Sequence, residues 1–76
     1  MERREEELIR QHLIHDRELR SLFEEHELLK QKLQEYRGKH YLTTEEEIEE
    51  KRIQKLKLAS KDRMMAILER YQTDAR

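Results

Sequence analysis

Apolar residues along the first half of the chain recur in alternating steps of four and three. Leu8, His12, His15, Leu19, Leu22, His26, Leu29, Leu33 and Tyr36 fall on one such register. That spacing is the a/d seam of a helix packing on another helix, with histidine at three of its positions. In the second half Ile53, Leu56, Ser60, Met64, Ile67 and Tyr71 repeat the pattern. Two seams on one short chain imply two helices that bury them against each other.

Punctuation divides the chain into elements of a single domain, residues 1–76. The chain has no proline, and its only glycine is Gly38, which stands where a left-handed C-terminal cap would end a first long helix over 16–37. Residues 38–43 form the connection. Thr43 with Glu46, or Thr44 with Glu47, has capping-box spacing, and Glu45–Glu47 suit the positive end of the helix dipole. A second long helix is therefore expected over 44–72. The short connection predicts antiparallel neighbours, giving an all-α, coiled-coil-like antiparallel helical hairpin. Folding about residues 40 and 41 places residue i near roughly residue 81 − i. Lys30 and Lys32 then approach Glu49 and Glu50, and Glu24, Glu25 and Glu27 approach Lys55 and Lys57. Residues 2–15 are also helical in composition. Asp16 either caps a separate, bent-back N-terminal segment or lies within one continuous helix; a break near His15–Arg17 is favoured.

Apolar residues remain after the two seams are paired. Leu58, Met65 and Leu68 lie to one side of the second seam, Phe23 and Leu28 flank the first, and Ile9 and Leu13 are spare. Two isolated helices in so small a chain are marginal, so further burial is expected. It comes either from residues 2–15 folding back over Met65 and Leu68, or from association with a second copy or a partner helix. Association is favoured, with Phe23, Leu58, Met65 and Leu68 as the candidate interaction surface. His26, in mid-seam, is expected to be a polar specifier of register, bonded across the pair near Lys55 or Ala59; an alternative reading makes it a pH switch.

Composition narrows the function. Charged residues make up 46% of the chain and hydrophobic ones 34%, yet the net charge is only −1. No global field therefore draws the chain to nucleic acid or anionic lipid. Lys51, Arg52, Lys55, Lys57, Lys61 and Arg63 form a basic stretch that makes nucleic-acid binding the alternative, disfavoured because glutamates of the first helix balance it and no aromatic platforms interleave. There is no cysteine and hence no thiolate metal site. His12 and His15 lie one turn apart, a spacing that can chelate zinc, but two ligands fall short of a site and no metal or cofactor is expected. No apolar run approaches the ~20 residues of a membrane span, and no signal-peptide pattern opens the chain. The expectation is a cytoplasmic protein with neither membrane partner nor small-molecule substrate. No phosphate loop or nucleophile–base spacing stands out, so no enzymatic activity is expected.

Leu22-Phe23-Glu24-Glu25-His26-Glu27-Leu28-Leu29, with Lys55-Leu56-Lys57-Leu58 and Lys61-Asp62-Arg63-Met64 further on, resembles the YdcH-like family of small bacterial proteins. Members are similar in carrying Leu-Phe-x-x-His-x-x-Leu on a first helix and Lys-Leu-x-Leu-Lys-Asp on a second. The Leu8-Ile9 pair also matches the family's N-terminal Leu-Ile. The chain departs from the pattern at Asp16-Arg17, where members often have Asp-Pro or Asn-Pro, and at Ala59-Ser60, where x-Leu is usual. The resemblance implies a helical hairpin in a bacterial cytoplasm and carries no biochemical activity, since the family is uncharacterised.

Overall fold

The computed structural model describes residues 3–74, and among them are three helices and no strand. They are α1 (Arg3–His12), α2 (Arg17–Arg37) and α3 (Thr44–Asp74). Residue 2, the expected start of the first segment, lies outside the described residues. The molecule is a rod of 50 × 20 × 16 Å.

Local chemistry sets most helix ends. Asp16 caps α2 in an extended conformation (φ −121°, ψ 103°), its carboxylate accepting the Leu19 N–H at 2.9 Å. At α3 the capping box is the Thr43 version of the two considered. The Glu46 N–H donates to the Thr43 hydroxyl, and the Thr43 N–H donates back to the Glu46 carboxylate, each at 3.1 Å. Two otherwise orphaned backbone donors are satisfied reciprocally. Gly38 departs from expectation: it is right-handed (φ −76°, ψ −10°), and no described residue has positive φ. Its N–H still bonds back to the Gln34 carbonyl at 3.1 Å. The helix ends here through the poor helix propensity of glycine and the competing start at Thr43, without a left-handed cap.

α2 and α3 pack along their length in two apolar clusters. Leu29, Leu33 and Ile53, flanked by Tyr36, form one. Leu19, Leu22, Met64, Ile67 and Leu68 form the other, together with Ile9 of α1. Between them lie the two buried polar residues of the described chain, His26 and Ser60. Contacts bring residue i near roughly residue 86 − i, as in His26 with Ser60, Lys39 with Glu46 and Asp16 with Tyr71. The register expected from charge pairing is therefore off by more than a turn. Capping at Thr43 lets the first turn of α3 project past the end of α2, which leaves Tyr41 and Ile48 exposed.

Two further seam assignments are corrected. Leu56 is 45% exposed, because the contact line on α3 runs from Ile53 to Ser60 and Met64 and leaves Leu56 on its rim. The seam also does not continue through His15, His12 and Leu8. The chain turns at Leu13–Asp16, and Ile9, not Leu8, is fully buried. The N-terminal segment thus folds back as a third helix against both α2 and α3.

Burying a large aliphatic side chain contributes about 1.5–3 kcal/mol, so a few core positions carry most of the stability. Leu33→Ala is expected to cost about 2–5 kcal/mol, and Ile48→Ala, on the exposed turn, within about 0.5 kcal/mol. Urea unfolding followed by circular dichroism measures both. Equal midpoints for the two variants would mean that the Leu33 cluster is not core.

Candidate functional site

α1 lies in the groove between α2 and α3, and its sequence explains which face it buries. Glu5, Ile9 and Leu13 are spaced by four, so they share one face of the helix. Ile9 enters the cluster of Leu22, Met64 and Leu68 with no exposed surface. Glu5 approaches Lys61 at 3.8 Å, too long for a hydrogen bond. Glu6 borders a cavity of about 60 Å³ shared with His26, Glu27, Lys30 and Lys57. At the other end His12 stacks flat on Tyr71, with centroids 4.1 Å apart and planes at 7°, and His15 meets the same ring edge-on. From Glu5 beside Lys61 to His12 beside Tyr71, α1 runs in the direction of α3.

This placement redistributes the candidate interaction residues. Leu68 is 5% exposed beneath α1 and offers no surface while that helix is docked. Phe23 and Met65 are half-buried against the same cluster, as are Leu8 and Leu13. Leu58 lies apart from that cluster, 50% exposed. On the outer face of α2, Phe23 and Leu28 line a shallow depression of about 350 Å³ with Glu24, Glu27 and Gln31.

His26 is 4% exposed. The Ser60 hydroxyl donates to the Lys57 carbonyl at 2.8 Å, as a serine within a helix often does. With that proton committed, the Ser60 oxygen is the acceptor for His26, whose Nδ1 lies 3.2 Å away. Nδ1–H is then the donor, and the ring sits as the neutral Nδ1-protonated tautomer. Burial lowers the pKa of His26 below its ordinary value, and the positive charges of Lys57 and Lys30 add to this. The Lys57 carbonyl and Glu27 oppose it.

Asp16 joins the helix junction to the end of α3, since the Tyr71 hydroxyl donates to its second carboxylate oxygen. That bond, with the Leu19 amide, holds the Asp16 carboxyl below its ordinary pKa and raises that of Tyr71. Arg20 donates to the Leu13 carbonyl across the turn at 3.1 Å.

Other candidates are dispersed. His12 and His15 lie within hydrogen-bond distance of each other, Nδ1 to Nε2 at 3.2 Å. Among the described residues no group of three His, Cys, Asp or Glu could hold a metal. In the basic stretch, Lys61 faces Glu5 and Lys57 lines the His26 cavity beside Glu6 and Glu27. Lys51, Arg52, Lys55 and Arg63 are exposed. No described helix is long and apolar enough to cross a membrane. The roles of Ile9 and Tyr71 were missed in the sequence. The Glu5-Ile9-Leu13 spacing was the one available signal for Ile9, and it competed with the longer Leu8 register.

No family model, curated protein or solved structure matches the chain.

The lowered pKa of His26 fixes a direction for pH dependence. The unfolded chain takes up this proton near the ordinary value of ~6.5, before the folded chain does. Stability is therefore full above ~6.5 and falls as the pH drops below it, until the folded ring also protonates. His26→Gln, which can still donate to Ser60, is expected to flatten the slope between pH 7 and 5, measured by urea unfolding at each pH. An unchanged slope would mean that His26 is not held neutral in the fold. The lowered pKa of Asp16 adds stability that is fully present above its ordinary value of 3.8 and is lost as the pH falls below it.

Proposed function

We propose that this chain is a non-enzymatic interaction module: an antiparallel helical hairpin of α2 and α3 whose groove receives an amphipathic helix. One observation carries the reading. The groove already holds such a helix, α1, anchored by a fully buried Ile9 and bordered by half-buried Phe23 and Met65. A surface that accepts one helix through an aliphatic anchor and an acidic residue facing Lys61 suits other helices of the same pattern. The half-exposed Leu58 adds apolar surface on the same helix.

The resemblance to the YdcH-like family supports a bacterial, cytoplasmic setting for this module. The basic residues Lys57 and Lys61, turned toward glutamates of α1 and α2, favour a protein occupant over a nucleic-acid phosphate backbone.

Sedimentation equilibrium of the full chain over a range of concentrations tests the reading. Association is expected, and Leu58→Lys with Met65→Lys should abolish it while circular dichroism shows the helices retained. A double variant that still associates as the parent does would place the contact elsewhere.

A further inference from the structure

We infer that the partner for this groove is a second copy of the chain, and that two copies exchange α1. The inference rests on the docking-face reading above and names its occupant. The groove's one occupant in the structure is α1, so a copy's α1 fits it residue for residue.

The hinge is small. Leu13 N–H still bonds to the Ile9 carbonyl at 3.1 Å, and the His15 and Asp16 N–H groups bond to the His12 carbonyl at 3.3 and 3.1 Å. On the far side the Arg20 N–H bonds to the Asp16 carbonyl at 3.0 Å. Regular helical bonding therefore gives way to a turn over residues 13–15 and resumes from Asp16, whose extended backbone completes the change of direction between α1 and α2. Returning residues 13–16 to helical angles would make α1 and α2 one straight helix, with the Arg17, Glu18 and Leu19 N–H groups free to bond Leu13, Ile14 and His15 carbonyls. Nothing in the sequence opposes this. No glycine or proline precedes Gly38, and the a/d register from Leu8 to Tyr36 crosses the hinge unbroken.

The straight form also presents the right faces. Ile9 and Phe23 are fourteen positions apart in the sequence, which at ~100° per residue puts them within about 40° of each other. The face that α1 buries and the α2 face beside its groove then look the same way. Two copies meeting on those faces about a two-fold axis near the hinge run antiparallel. Each lays its α1 into the other's groove with Ile9 against Leu22, Met64 and Leu68, and such an interface is self-complementary and closed. Within one chain, straightening exposes Ile9 and loses the Asp16–Leu19 cap and the Asp16–Tyr71 bond. Exchange restores the Ile9 burial in trans, so Asp16 is the residue that holds the closed form.

The chain has no cysteine, which makes a linking experiment direct. Glu5→Cys and Lys61→Cys chains are mixed in equal amounts and treated with a short bis-maleimide. The expected product is a 5–61 link between chains, rising with protein concentration and well above that from Glu5→Cys mixed with Ile48→Cys. Asp16→Ala in both chains should shift the exchange by about fivefold, as loss of a typical N-cap does. If 5–61 links form only in a control chain carrying both Glu5→Cys and Lys61→Cys, and only within that chain, exchange is overturned and the docking face stands. If neither sample links 5 to 61, α1 does not occupy the groove, and both inferences fall.

Discussion

The position of α2 along α3 governs every other feature of this chain, and the His26–Ser60 bond marks it. Both residues are buried between two apolar clusters. A slip by one turn would part the buried imidazole N–H from its Ser60 acceptor, at a cost of about 1–3 kcal/mol if it stayed unpaired. For a chain with so few buried side chains, that is a sizeable part of the stability. A polar residue in a helical seam thus selects one register while adding little to the strength of the packing. The surrounding leucines contribute most of the burial free energy and tolerate slippage better than the histidine does.

Once that register is set, the ends of the molecule follow. Tyr71 arrives beside Asp16, where its hydroxyl reaches the carboxylate that also caps α2. One side chain therefore starts α2 and ties its first turn to the end of α3. α1 is directed into the groove at this point, and its Ile9 completes the cluster of Leu19, Leu22, Met64, Ile67 and Leu68. Helix capping, a side-chain hydrogen bond and apolar burial converge on a short turn. The cost of breaking the helix there is offset by the groove it fills.

The groove also explains why the apolar residues outside the seam fall into separate groups. Leu68 is consumed within the chain, Phe23 and Met65 border α1, and Leu58 and Leu28 stay open to solvent. This surface is assembled from residues of α2 and α3 and half covered by α1. Around it Glu5 lies 3.8 Å from Lys61, with its buried Oε2 lacking a hydrogen-bond partner, and His12 lies beside His15.

Local features were readable in advance because they depend on neighbours a few positions away. The presence of two long helices and of a capping box at either Thr43 or Thr44 followed from spacing and from side chains that bond their own backbone. The burial of Leu19, Leu22, His26, Leu29, Leu33, Ile53, Ser60, Met64 and Ile67 was legible from period alone. The Gly38 conformation was misread, since glycine ends helices in more than one geometry. The register was misread because exposed charge pairs are weak and nearly degenerate between alternatives, whereas His26 requires one particular partner. The path of α1 was left open. Leu8 and Ile9 offer two faces, and it is Ile9 that is buried with Leu22, Met64 and Leu68 while Leu8 is only partly buried. The sequence by itself determined the helices and the residues able to pair, through interactions within a turn or two. The tertiary structure decided how far the helices are offset and where the first one lies, because those choices depend on burial between residues far apart in the chain.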